Sequence, residues 1–182
     1  MAPEGRISPD YDPNPPGALD AAVLLLVSRS RELAFIRRAT DGRAHSGQIA
    51  FPGGAREPGD QDLIMTALRE TEEEIGVPAT EVTVLGRLTP LYISVSNFVV
   101  HPVVGCIDHW PGFVCQESEV DEVYTLPISE FAAVRDEREL KRGTTGSRAP
   151  CYRFPGVTVW GATAMITAEF LQIWTEAAAG PD

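Results

Sequence analysis

Positive charge is scarce in this chain: 15 Lys and Arg stand against 26 Asp and Glu, a net charge of −11 over 182 residues. That balance argues against a general nucleic-acid binder and against adhesion to anionic membranes. A phosphate-bearing substrate is still admissible, because charges beyond about 10 Å are largely screened and a local basic pocket acts on its own. Cysteine is nearly absent. Cys106, Cys115 and Cys151 are odd in number and lack C-x-x-C spacing, which excludes a disulfide framework and a cysteine zinc site. No apolar run reaches the roughly 18 residues that span a bilayer. The opening stretch, MAPEGRISPDYDPNPPG, has no apolar core of the kind a secretory leader needs, and Gly180-Pro181-Asp182 is not a peroxisomal address. The expectation is a cytoplasmic protein that contacts neither membrane nor nucleic acid. No D-x-D-x-D-G loop is present, which disfavours a calcium-binding helix pair. The three histidines, His45, His101 and His109, are scattered and carry no ligand spacing.

What remains is ordinary globular material. Hydrophobic residues make up 43% and charged residues 23%, and the length suits one domain with a real core. Residues 1–18 hold five prolines and read as an extended arm that packs on the domain, packs on the partner of a homodimer, or stays loose. Residues 19–178 read as a single domain without internal repeats. The run AAVLLLV, Ala21 to Val27, suits a strand buried on both faces, with Leu33 to Arg38 as its hairpin mate. Gln48 to Phe51 is a short strand and residues 62–75 are a helix. Val82 to Leu88 alternates as a strand, and Tyr92 to Ser96 reads as loop or strand edge. Asn97 to Cys106 is a strand whose Pro102 predicts an edge or a bulge. Glu119 to Leu126 fits strand or helix. A short helix over 128–134 would be capped by Ser129. Residues 136–147 read as a polar loop or hairpin tip. Short strands lie at 152–154 and 157–159. A closing helix over 161–176 would bury Met165, Phe170, Ile173 and Trp174. Mixed strands with two main helices imply a sheet-and-helix sandwich.

The helix of residues 62–75 carries the chemistry. At about 100° per residue, Glu74 falls near +40° and Glu73 near −60° from Glu70. Three carboxylates thus share one face, while Ile64, Leu68 and Ile75 form a separate apolar face and Glu72 falls outside the acidic cluster. A bare acidic run is usually just solvated. Like charges at i, i+3 and i+4 destabilise a helix unless something neutralises them, and a hard divalent cation with oxygen ligands does so. Glu70, Glu73 and Glu74 are the candidate metal ligands, with Mg²⁺ or Mn²⁺ as the cofactor. The flanks favour this reading over a solvated face: Phe51-Pro52-Gly53-Gly54 precedes the helix and Gly76 closes it as a C-cap would.

The stretch from Gly54 to Val77 resembles the Nudix box, G-x5-E-x7-R-E-U-x-E-E-x-G-U with U aliphatic. Its second half stands here as Arg69-Glu70-Thr71-Glu72-Glu73-Glu74-Ile75-Gly76-Val77. Asp60 occupies the first acidic position, and one residue more than the pattern separates it from Arg69. The resemblance implies an α/β (α+β) Nudix fold, an α/β/α sandwich around a mixed β-sheet, and a metal-dependent hydrolase of diphosphates. It implies that Arg69 orients a box glutamate, and that Glu119 or Glu122 supplies a further carboxylate for metal or for a proton from water.

The segment ahead of the box is more specific. Residues 45–54, HSGQIAFPGG, resemble the signature of the coenzyme A pyrophosphatase subfamily, with Arg37 or Arg38 and Arg43 near its arginine slots. The implied reaction is hydrolysis of coenzyme A to 3′,5′-ADP and 4′-phosphopantetheine. Arg37, Arg38, Arg43, His45, Gly53, Gly54 and Arg56 are the candidate substrate contacts. At least one arginine is expected on the 3′-phosphate, since arginine binds phosphate in a bidentate fork. The alternatives are the same chemistry on ADP-ribose or NADH, and a non-catalytic binding module of the same fold. The retained glutamates disfavour the module.

Overall fold

The computed structural model describes residues 12–40, 42, 45–142 and 145–179, with side chains 139–142 and 145–148 left aside. The chain separates into two compact units, residues 12–128 and, among the described residues, 129–179.

The first unit is built on one mixed sheet. Its strands are β1 (Leu19–Ser28), β2 (Glu32–Arg38), β3 (Ile49–Ala50), β4 (Gly53–Ala55), β5 (Thr83–Arg87), β6 (Leu91–Ile93), β7 (Phe98–Ile107) and β8 (Val120–Pro127). The order runs β3-β2-β1-β7-β5, with β4 on β1, β6 on β7 and β8 on β2. β1 pairs with β7 in parallel over its whole length, from Leu19 opposite Phe98 to Ser28 opposite Ile107. The other pairings are antiparallel. Both faces of β1 are buried: Ala22, Leu24 and Leu26 on one, Leu25 and Val27 on the other. This matches its unbroken apolar run.

Helix α1 (Leu63–Ile75) lies on the face of Ala22, Leu24, Leu26, Ala34, Ile36 and Val103, packing Ala67, Leu68 and Ile75 against them. Asp62 caps its start, its carboxylate accepting the Met65 N–H at 2.9 Å. Gly76 ends it at φ 71°, a left-handed position that glycine takes without steric cost.

Pro102 does not mark an edge. It sits inside β7, with β1 on one side and β5 and β6 on the other. Its lost N–H falls where β5 gives way to β6, and its carbonyl still accepts from Leu88 at 2.9 Å. The segment 119–126 resolves as strand β8.

In the second unit, β9 (Arg135–Arg142), β10 (Thr145–Phe154) and β11 (Val157–Trp160) form an antiparallel sheet, with helix α2 (Gly161–Ala179) against β10 and β11. Phe131 centres its core, its ring 5.2 Å from Tyr152 and 4.9 Å from Phe154. Of the two readings of 136–147, loop or hairpin tip, the strands match the hairpin, residues 143–144 lying outside the described set. Its strands lack an apolar alternation for the sequence to display. The expected helix over 128–134 is a single 3-10 turn at Ile128–Glu130, with Ser129 inside it and not at its cap. Ile173 is 47% exposed and does not join the core that buries Phe170.

Replacing Asp62 by Ala removes the α1 cap and should cost about 1 kcal/mol. Urea denaturation would report it as a lower midpoint with unchanged slope. An unchanged midpoint would show that the cap bond adds nothing.

Candidate active site

The site begins where β4 runs under α1. Gly53 has φ 148°, and a Cβ there would lie 2.3 Å from the Ala22 carbonyl oxygen and 2.6 Å from Val23 Cα. Gly54 is tighter in another way: a Cβ would stand 2.4 Å from the Glu70 carboxylate. Only glycines let this strand come so close to the helix. Phe51, just before them, stacks on Phe35 with ring centroids 4.7 Å apart and fixes the approach.

Glu74 is 1% exposed, and its Oε2 accepts the Gly53 N–H at 2.8 Å. Burial pushes its carboxyl up to about 7; the Gly53 N–H and the Arg38 charge oppose this, while the charges of Glu70 and Glu119 add to it. Glu70 is raised as well, first by burial, against the pull of Arg69 and with the push of Glu73 and Glu119. Glu119 thus adds to the negative charge felt by Glu70 and Glu74.

Glu73 is placed differently. It is exposed, and its Oε2 accepts from Arg69 Nη1 at 2.9 Å. Arg69 is the hub of the outer cluster. It bridges Glu70 at 3.0 Å, reaches the Ala55 carbonyl at 3.2 Å, and grips Asp60 through Nε and Nη2, both at 3.0 Å. Asp60, 7% exposed, also accepts from the Glu57 N–H and the Thr66 hydroxyl, each at 2.9 Å. Arg69 above all, then these two donors, hold its carboxyl far below the usual range. Ahead of α1, the Asp60 N–H donates to the Glu57 carbonyl at 3.0 Å and closes a turn. Asp60 was not among the sequence candidates, although its place in the G-x5-acid pattern signalled it.

Glu119 and Glu122 part company. Glu119 sits in a turn tied to α1: Val114 N–H donates to the Ile75 carbonyl at 3.1 Å, Gln116 N–H to Glu74 at 2.9 Å, and Glu119 N–H to Gln116 at 2.8 Å. Glu122 lies on β8 opposite Arg37, as Tyr124 lies opposite Phe35. Because Ala34 and Ile36 face α1, side-chain alternation sends Arg37, Glu122 and Tyr124 to the other face of the sheet. There the Tyr124 hydroxyl bonds to both Arg37 and Glu122. Arg38 pairs with Val120 on β8, and its charge opposes the rise at Glu74. Arg56 donates to the carbonyls of Asp60 and Gln61 at 3.3 and 3.4 Å, closing the loop before the helix. His45 has φ 68° and bonds Gln48 through Nδ1 at 3.3 Å. Arg43 lies outside the described residues.

The NUDIX domain profile matches residues 18–144. The chain belongs to the Nudix family. It is 40% identical over 158 residues to a Nudix hydrolase, NudL, of Yersinia enterocolitica, covering 84% of this chain and 80% of that protein. NudL of Pectobacterium atrosepticum is 42% identical over 150 residues, 80% of this chain and 78% of that one. Both carry the name "Uncharacterized Nudix hydrolase NudL". The fold is also that of the Nudix hydrolase RenU of Mycobacterium smegmatis, at TM-score 0.51 and 22% identity, covering 64% of this chain and 74% of RenU. A Caenorhabditis elegans Ap4A hydrolase matches at TM-score 0.51 and 17% identity, covering 60% and 80%. The protein is a Nudix hydrolase of α+β class.

Nudix hydrolases generally use divalent metals such as Mg²⁺ or Mn²⁺. The donors here fit such an ion: they are hard carboxylate oxygens, one of them buried, and their mutual repulsion is what a doubly charged cation relieves. Among the described residues no group of three or more His, Cys, Asp or Glu side chains stands close enough together to hold a metal ion.

The raised Glu74 carboxyl has a sign that can be measured. Its value is higher folded than the ordinary 4.5, so proton uptake favours the fold. That contribution is complete below about 4.5 and is lost as pH rises through about 7. Glu74→Gln keeps an acceptor for Gly53 and removes the charge. In metal-free buffer at pH 8 it should stabilise the protein by on the order of 1–3 kcal/mol, and the gain should fade by pH 4.5. Thermal unfolding in EDTA at the two pH values checks this; a variant less stable than the parent at pH 8 would contradict it.

Proposed function

We propose that this Nudix hydrolase cleaves the diphosphate bond of coenzyme A and its derivatives, giving 3′,5′-ADP and 4′-phosphopantetheine or its acylated form. The observation that carries the reading is the meeting of Glu70 and Glu74 with the paired glycines that end the segment HSGQIAFPGG, Glu74 accepting the Gly53 N–H at 2.8 Å. Glu70 and Glu74, with Glu73 at the rim, are the carboxylates that would hold Mg²⁺ or Mn²⁺. Bound there, the metal would neutralise diphosphate charge and acidify an attacking water.

The chain's own residues do the rest. Gly53 and Gly54 leave the backbone bare, so that a diphosphate reaches the acidic helix closely. Arg69 holds Glu70 and Glu73 in fixed orientations, and Asp60 holds Arg69. Glu119 takes the proton of the attacking water; its turn is bonded to the last turn of α1, which carries Glu74, whereas Glu122 is committed to Tyr124 on the other face. Water oxygen bonds to one phosphorus, the bridging P–O bond breaks, and the leaving phosphate carries the bridging oxygen away.

Hydrolysis of coenzyme A with Mg²⁺ in ¹⁸O-labelled water, followed by mass spectrometry, should place one label in one of the two phosphate-bearing products. ADP-ribose and NADH serve as parallel substrates. Turnover of either of these with coenzyme A untouched would sink the substrate assignment. Glu119→Gln should lower kcat about 100-fold or more, and Glu122→Gln far less. A larger loss at Glu122 would reverse the two roles.

A further inference from the structure

Helix α1 buries two threonines, and they spend their hydroxyls differently. Thr71 Oγ1 donates to the Ala67 carbonyl at 2.7 Å, four residues back. That is the usual resort of a threonine inside a helix. Thr66 has the same option in the Asp62 carbonyl, 3.3 Å away. Its closer partner lies outside the helix: Oγ1 donates to Asp60 Oδ2 at 2.9 Å. The hydroxyl has one proton, and the shorter contact takes it.

Asp60 is thereby tied to α1 at two points. Thr66 and Arg69 stand three residues apart, as neighbours on the helix surface. Arg69 reaches both Asp60 oxygens through Nε and Nη2, each at 3.0 Å. The two ties differ in stiffness. The guanidinium sits on a long stem, so the Arg69–Asp60 fork alone would swing as a unit. Threonine is short and branched at Cβ, which fixes its hydroxyl relative to the helix backbone. The carboxylate torsion of an aspartate is soft on its own. Asp60 is buried, so water replaces a lost donor poorly. From the far side of the fork, Arg69 Nη1 reaches Glu70 at 3.0 Å and Glu73 at 2.9 Å.

We propose that Thr66 is a positioning residue of the reaction: its hydroxyl locks the Asp60–Arg69 fork to α1 and so aims Glu70 and Glu73. This rests on the reading of those glutamates as carboxylates that hold the divalent metal, but not on coenzyme A as the substrate. The Nudix box pattern leaves position 66 open, so the role belongs to this chain's own geometry. Partners that orient metal ligands set affinity and rate without touching the metal.

The test compares Thr66→Val, which keeps the branched shape and removes the hydroxyl, with Thr66→Ser, which keeps the hydroxyl. Thr71→Val removes the other buried hydroxyl of the same helix and serves as the control. Thermal midpoints in EDTA establish that each variant is folded. Mn²⁺ binding is read by calorimetry without substrate, and kcat and KM are read on coenzyme A and on ADP-ribose with Mg²⁺. Thr66→Val should bind Mn²⁺ about 10-fold more weakly and lose about 10-fold in kcat, with KM little changed. Thr66→Ser should recover most of both, and Thr71→Val should match the parent. Thr66→Ala carries the same comparison where Thr66→Val does not fold. A Thr66→Val protein equal to a parent that binds Mn²⁺ and cleaves a diphosphate overturns this inference alone. So does an equal loss at Thr71→Val, or a Thr66→Ser no better than Thr66→Val, since either makes the effect one of helix packing. Where neither substrate is cleaved, the diphosphate reading fails and the Mn²⁺ titration decides the role of Thr66. A parent that takes up no Mn²⁺ overturns the metal reading and this inference together.

Discussion

The separation of β4 from α1 governs this molecule. The strand passes so near the helix that a Cβ on Gly54 would overlap the Glu70 carboxylate, and one on Gly53 would overlap β1. That closeness buries Glu74 and gives it a backbone donor. It also draws Glu70 out of water and brings both within the field of Glu119. Any larger residue at either glycine would push the helix off the sheet or turn its glutamates outward. The reactive arrangement is therefore set by an absence of side chains.

Two devices keep that arrangement in register. On the outer side Asp60 and Arg69 form a buried pair in which every oxygen of Asp60 has a donor. Such pairs add specificity of geometry more dependably than net stability, because desolvation offsets much of their attraction. On the inner side, carbonyls that the last turn of α1 would leave unpaired are taken by Val114 and Gln116. The same two bonds place the turn that carries Glu119. The end of the helix and the turn that carries Glu119, in the connection between β7 and β8, are thus one construction.

The legible parts of the sequence were those with a local physical cause. An unbroken apolar run announced the doubly buried β1, and Gly76 announced the end of α1. The helical spacing of Glu70, Glu73 and Glu74 marked an acidic face, although it could not say that Glu74 would be buried while Glu73 stayed at the surface. That difference depends on β4, which is distant in helical coordinates. Glu119 and Glu122 looked equivalent because the bulge opposite Arg37 and Arg38 leaves no trace in composition. Pro102 suggested an edge because its neighbours on both sides come from elsewhere in the chain. The polar stretch 136–147 signalled a hairpin tip or a loop, but the length of the β9–β10 ladder is written in backbone bonds and not in apolar alternation.

The parallel union of β1 and β7 has a kinetic consequence. Every one of its pairings, from Leu19 with Phe98 to Ser28 with Ile107, closes a long stretch of chain before any reward is collected. Topologies dominated by such distant pairings form slowly, and during synthesis the first strand must wait for the seventh to emerge. Until then a greasy segment beginning at Leu19 stands without its neighbour. The net charge of −11 on the finished chain opposes association between copies.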